Sequence, residues 1–333
     1  GQKEIVSEKN IRVAVVGAGE FGRNHARVWR EMEGAELVGI LDADCDRAAS
    51  VAAEFGTQAL RDFNALLGAG AQAASVAVPT REHAAVGCRL LEAGIDTLVE
   101  KPIAASLAEA DALIAAAARN GRILQVGHVE RFNPAVAAAQ KVVSKPLFFE
   151  VHRLGIFTPR SLDIDVVYDL MIHDLDILLA LVPETVTDLR AVGIPVITDK
   201  VDIAHARVEF ATGTVANLTA SRVSTERVRK MRFFQAHEYI SLDFARQDAL
   251  RIRVEPGSGE QPGIGFEKLE TPQEEPLRAE LRAFLESVRT RHAPAVDGVA
   301  GRRALELADR VMAGILEHAK RVQLGAFAPL GVR

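Results

Sequence analysis

Three groups of side chains in this sequence are suited to chemistry. Glu100-Lys101-Pro102 sets an amine beside a carboxylate. Asp169, His173 and Asp176 sit at i, i+4 and i+7 of an apolar stretch, which puts them on one face if the stretch is helical. Gly17-Ala18-Gly19-Glu20-Phe21-Gly22 has the glycine spacing of a phosphate-cradling loop. The first two groups offer proton transfer and the third offers a nucleotide seat.

The glycine loop has the context it needs. Ile11 to Val16 reads as a buried strand before it, and a helix-compatible run from Phe21 to Glu33 follows it. Gly17 permits the tight turn, Gly19 lets backbone approach a pyrophosphate, and Gly22 lets helix and sheet pack closely. Glu20 and Phe21 open the helix whose N-terminus faces the phosphates. Asp42, at the end of the next strand-like run, suits the adenosine ribose hydroxyls and would repel a 2′-phosphate. NAD is therefore expected over NADP, with Arg47 close enough to leave dual use open.

Glu100 and Lys101 end a predicted parallel strand, the edge where open α/β sheets bind ligands. A lysine in a crevice beside a cationic nicotinamide loses affinity for its proton through desolvation and like charge. Lys101 is thus a candidate acid/base, with a solvated Glu–Lys pair as the alternative. His173, flanked by carboxylates on an apolar helix, reads as a proton-handling group poised by Asp169. A solvated stripe or a metal site are the other readings of that helix. Metal is disfavoured, because the two clusters already supply acid/base chemistry. Pro79, Thr80 and His83 follow another strand and are candidates to floor a nicotinamide pocket or to cap a helix. His128 and Arg131 at a further strand end, and Arg153 and Arg160 beyond it, are candidates to hold an anionic substrate.

The supporting elements divide the chain in two. Strand and helix alternate over 10–127, with Ser106 and Glu109 as a capping box, and this predicts a doubly wound parallel sheet. Residues 128–333 read as α+β. They contain a long apolar helix over 166–182, β segments between about 186 and 254 that suggest a mostly antiparallel open sheet, a Gly/Pro-rich loop over 255–265, and two late helices. The net charge of −5 with mixed signs excludes a general nucleic-acid binder, so an anionic substrate would need a local basic pocket. The two cysteines show no metal or disulfide spacing, and no apolar run is long enough to span a membrane. A cytoplasmic protein is expected.

The glycine loop, Asp42, Pro79-Thr80-x-x-His83, Glu100-Lys101-Pro102 and Asp169-x-x-x-His173-x-x-Asp176 together resemble the Gfo/Idh/MocA oxidoreductases over nearly the whole chain. The resemblance implies an N-terminal Rossmann domain and a C-terminal domain whose open sheet builds a homodimer or homotetramer. It also implies oxidation or reduction of sugar or cyclitol carbons with NAD or NADP. Residues 162–168 replace the glycine run that the family often places before the Asp of the helix motif. The residues over 127–134, with Arg160, 169–176 and 221–224, are more similar to the branch of UDP-N-acetylglucosamine 3-dehydrogenases. In the mechanism this implies, Lys101 is the immediate base and His173 its partner, or the reverse, Asp169 orients His173 or binds a sugar hydroxyl, and Glu100 contacts the nicotinamide ribose and holds Lys101. An inositol or free-sugar dehydrogenase, a reductase, and a non-catalytic NAD-binding regulator are the alternatives.

Overall fold

A computed structural model describes residues 10–159, 162–255 and 263–322. They form two compact units. Unit one contains the described residues up to Val129 together with Glu275–Arg302, and unit two contains Glu130–Glu274 and the described residues from Arg303 onward.

In unit one, short β-branched and alanine-rich runs form β1 (Ile11–Val16), β2 (Ala35–Leu41), β3 (Ala59–Leu60), β4 (Ala73–Val76), β5 (Asp96–Glu100) and β6 (Leu124–Gly127). Their order is β3-β2-β1-β4-β5-β6, with every pair parallel. This is the Rossmann order, with its switch point between β1 and β4. The connecting helices are α1 (Glu20–Glu31), α2 (Cys45–Glu54), α3 (Phe63–Gly68), α4 (His83–Glu92) and α5 (Leu107–Asn120). Asp44 caps α2 through the amides of Asp46 and Arg47. Ser106 caps α5 by accepting from the Glu109 amide, while the Glu109 carboxylate accepts from Ala105, one residue before the expected partner.

Unit two contains α6 (Pro134–Val142), β7 (Phe148–Ile156), a π-helical turn over Val167–Met171, α7 (Ile172–Leu181), β8 (Val186–Ile194), β9 (Ile203–Phe210), β10 (Val215–Ser224), β11 (Val228–Gln235), β12 (Glu238–Asp243), β13 (Asp248–Glu255) and β14 (Gly263–Lys268). Its sheet order is β14-β13-β12-β11-β7-β10-β9-β8, antiparallel except where β7 and β10 run parallel. β14 starts inside the stretch expected to be a loop. Alternate side chains, such as Phe149, Val151, Ala206, Leu218 and Phe233, turn into a core shared with α6 and α7. On the opposite face His205, Thr219, His152 and Lys230 form a polar row across four strands.

The chain then returns to unit one. α8 (Pro276–Thr290) carries Leu281, Phe284, Leu285 and Val288 on one stripe, packed with α1 and β1. Trp29 of α1 meets Phe284 edge-on at 6.3 Å and donates its indole N–H to Ser75 at 2.8 Å. Burying each of these apolar side chains is worth roughly 1.5–3 kcal/mol. The expected second domain of 128–333 therefore differs from the observed units. The helical period of α8 was readable, but the sheet it would cover was not. α9 (Gly298–Arg321) begins in unit one and continues in unit two.

Candidate active site

The nucleotide seat is built at the β1–α1 turn. Gly17 has φ +100°, and a Cβ there would lie 2.4 Å from the Ala77 carbonyl oxygen. A Cβ on Gly22 would lie 1.7 Å from the Gly17 carbonyl oxygen. Both positions therefore require glycine, whereas a Cβ on Gly19 would meet nothing within 4 Å. That opening faces the start of α1, which has no side-chain cap. Uncapped N–H groups beside an open backbone fit a pyrophosphate.

Asp42 lies just beyond β2 and is 9 % exposed. Its Oδ2 accepts from the Ala18 amide at 2.6 Å and from Arg47 Nε at 3.2 Å. Its Oδ1 accepts from the Asp44 amide at 2.8 Å and from Arg47 Nη2 at 2.7 Å. Burial alone would raise this carboxyl, but Arg47 and the two amides outweigh it and hold it below the usual carboxylate range. A carboxylate offers about four lone-pair positions, and these donors fill them. A ribose hydroxyl can bond Asp42 only by displacing a donor, and the half-exposed Arg47 is the one able to leave. Arg47 thus competes for the position at which the sequence reading left it open for dual cofactor use.

Lys101 follows β5, at the carboxyl edge of the sheet, and its segment is held on both sides. The Glu100 carboxylate meets His25 Nε2 of α1 at 2.9 Å. The Lys101–Pro102 bond is cis, and the Pro102 carbonyl lies 2.9 Å from His83 Nδ1. His83 Nε2 lies 3.0 Å from the Val78 carbonyl, so one buried ring joins the segments after β4 and β5. Burial depresses the His83 pKa, with the carbonyl contacts opposing it. The expectation that His83 lines the cofactor is corrected, since both nitrogens are turned to backbone. Pro79 and Thr80 begin the short 3₁₀ turn leading to it.

Unit two carries the second cluster. Asp169 lies on the π-helical turn and His173 in the first turn of α7, both partly exposed. The π turn breaks the uniform helical spacing on which the shared-face reading rested. Asp176 is buried and takes a fork from Arg131, with Nε at 2.9 Å and Nη2 at 2.6 Å. Asp174 takes a second fork from Arg153, at 2.9 and 2.7 Å, and Arg153 also donates to Glu130 at 2.9 Å. Arg153 is 3 % exposed; burial alone would lower its pKa, but Asp174 and Glu130 raise it. Arg131 and Arg153 are therefore scaffold ion pairs, not the substrate-facing cations expected. His128 is also corrected, because it is 1 % exposed and offers no surface to a substrate. Arg160 lies outside the described residues.

The segment before Asp169 is fixed by groups the sequence did not single out. Asp165 accepts from the Val201 amide at 2.8 Å, and Val166 donates to the Val201 carbonyl at 2.9 Å. Tyr168 donates to Asp309 of α9 at 2.7 Å. In unit one, His25 and Glu280 were also missed. Each carried a signal, as a polar residue on the buried stripe of an amphipathic helix. Among the described residues, His25, Glu100 and Glu280 form one group able to hold a metal ion, far in sequence from the helix where metal was weighed.

Known proteins resemble this chain along most of its length. Residues 11–128 match the profile described as an oxidoreductase family with an NAD-binding Rossmann fold, and residues 149–237 match the Gfo/Idh/MocA C-terminal domain. The UDP-N-acetylglucosamine 3-dehydrogenase of Acidithiobacillus ferrooxidans is 40 % identical over 310 residues, covering 92 % of this chain and 97 % of that enzyme. A solved structure of it superposes with a TM-score of 0.87 at 39 % identity, covering 92 % and 97 % of the two chains. The NAD-dependent scyllo-inositol 2-dehydrogenase of Bacillus subtilis is 30 % identical over 65 % of this chain and 69 % of its own. Levoglucosan dehydrogenase, solved with NADH, shares the fold at a TM-score of 0.83 and 19 % identity, covering 93 % and 98 %. This chain belongs to the Gfo/Idh/MocA family of oxidoreductases, and its first unit is that family's NAD-binding domain.

Proposed function

We propose that this protein is an NAD-dependent dehydrogenase that oxidises a ring hydroxyl of a sugar nucleotide, the C3 hydroxyl of UDP-N-acetylglucosamine in the first instance. The observation that carries the chemistry is Lys101 at the carboxyl edge of a Rossmann sheet, in a segment clamped through Glu100 and Pro102. The substrate rests on the 40 % identity to a UDP-N-acetylglucosamine 3-dehydrogenase along 97 % of its length.

Bound NAD supplies the hydride acceptor. Lys101 Nζ takes the hydroxyl proton as the C3–H bond breaks and the carbonyl forms. His173 is the alternative acceptor of that proton, with Asp169 orienting the imidazole or accepting from a sugar hydroxyl. The Gly17–Gly22 loop holds the pyrophosphate, and Asp42 takes the ribose hydroxyls once Arg47 moves aside. No helix among the described residues is long and apolar enough to cross a membrane. We assign the enzyme to the cytoplasm, where free NAD and nucleotide sugars meet. The uncovered face of the second sheet, with its half-exposed polar row, is assigned to pairing with a second copy. Light scattering tests that assignment, and a monomer at high concentration contradicts it.

The deciding assay measures NADH formation with UDP-N-acetylglucosamine, other nucleotide sugars, free sugars and inositols. The expected result is preferred turnover of UDP-N-acetylglucosamine to a product that hydroxylamine traps as a ketone. Preferred turnover of an inositol overturns the substrate assignment, and no turnover of any alcohol overturns the dehydrogenase reading.

A further inference from the structure

His25, Glu100 and Glu280 come from α1, the end of β5 and α8, and each places one ligand-type atom within 4.8 Å of the other two. His25 is 1 % exposed and Glu280 is 0 % exposed. Glu100 and Lys101 are consecutive, so the backbone bearing the proposed base cannot shift without displacing the Glu100 carboxylate. That carboxylate occupies a prepared space, since a Cβ on Gly127 of β6 would lie 2.8 Å from Glu100 Oε1. His25 Nε2 lies 2.9 Å from the same oxygen, where a ring N–H can donate to the carboxylate.

We propose that His25 is a positioning residue for hydride transfer: it holds the Glu100 carboxylate against α1 and thereby fixes the Lys101 backbone. The proposal rests on the dehydrogenase reading above. Without the His25 N–H the Glu100 carboxylate is free to turn, and the backbone that carries Lys101 turns with it. Glu280 closes the far side of the cluster. Its helix is anchored there by Leu281 and Phe284 in the core, and its carbonyl accepts from Gln125 Nε2 at 3.2 Å.

The test compares His25→Leu and His25→Gln with wild type. A Gln amide can reach the position of Nε2 and still donate to Glu100, whereas Leu cannot. His25→Leu should lower kcat roughly 100-fold, the scale of an ångström-sized misplacement, with the KM for UDP-N-acetylglucosamine and the Kd for NADH within about threefold of wild type. His25→Gln should recover most of the lost kcat. Nitrogen-15 NMR of the wild-type His25 ring carries the test if His25→Leu does not fold. Wild-type kcat in His25→Leu, or equal losses in the Leu and Gln variants, would overturn the proposal. So would a stoichiometric metal ion in the active protein whose removal abolishes turnover.

Two readouts separate this proposal from the function it rests on. A wild-type protein that reduces no NAD with any alcohol sinks the function reading alone. Nitrogen-15 NMR of the His25 ring needs no substrate. A slowly exchanging Nε2 proton is expected, and a bare Nε2 contradicts the clamp whatever the enzyme's substrate.

Discussion

The two units brace their candidate catalytic segments in different ways. Unit one holds its chemistry-bearing segment with histidines: His25 on the Glu100 carboxylate, and His83 on the Val78 and Pro102 carbonyls. Unit two uses arginine forks, Arg131 on Asp176 and Arg153 on Asp174 and Glu130. An arginine stays charged, and its planar fork fixes two bonds at once, so these pairs serve as scaffold. A histidine makes single bonds that depend on where its protons sit. Anion-recognising residue types therefore ended up as struts in unit two, while His83, read as a pocket floor or helix cap, and His25, which the sequence did not single out, brace the proposed base segment in unit one.

Substitutions that separate bracing from chemistry should sharpen this contrast. Lys101→Met should lower kcat by roughly two to four orders of magnitude while leaving NADH binding and the melting temperature near wild type. Steady-state kinetics beside thermal unfolding checks this. Arg153→Met should do the reverse in kind, costing about 3–5 kcal/mol of stability because Asp174 and Glu130 lose their buried partner. Denaturant unfolding reads that loss, and an unaffected midpoint would mean the fork is not structural. Trp29→Ala should cost a similar amount, about 3–5 kcal/mol, through the cavity left between α1 and α8.

Smaller effects bear on the polar groups of unit one. His83 has a lowered pKa when folded, so the unfolded chain binds its proton first as pH falls. Its contribution to stability is full above the unfolded value of about 6.5 and is lost as pH falls through the folded value. His83→Gln should flatten the stability–pH curve in that window, and an unchanged slope would contradict the assignment. Arg47→Ala should tighten NADH binding a few-fold by freeing the Asp42 acceptors, measured by fluorescence titration. Weaker binding would show that Arg47 holds the cofactor instead of competing with it.

Much of unit one was legible because its signals are local. The glycine loop, the Asp44 and Ser106 caps and the strand before Glu100-Lys101-Pro102 each follow from a few neighbouring residues. What could not be read depends on distant pairing. Nothing near Arg131 or Arg153 in sequence announces Asp176 or Asp174, 45 and 21 residues away, as partners. The parallel pairing of β7 with β10 spans the intervening helix and strands. The return of α8 to unit one could be seen only as an apolar stripe carrying one buried carboxyl, Glu280. The π turn at Val167–Met171 defeated a spacing argument that assumed uniform helix geometry.

The central claim is that Lys101 sits where a hydroxyl proton leaves as hydride passes to NAD. Its most direct test supplies UDP-N-acetylglucosamine deuterated at C3, with NAD, to the wild-type enzyme and to Lys101→Met. The account predicts deuterium at C4 of the reduced nicotinamide with wild type and almost none with the variant. Transfer at an undiminished rate by Lys101→Met, or reduced cofactor free of deuterium, would contradict it.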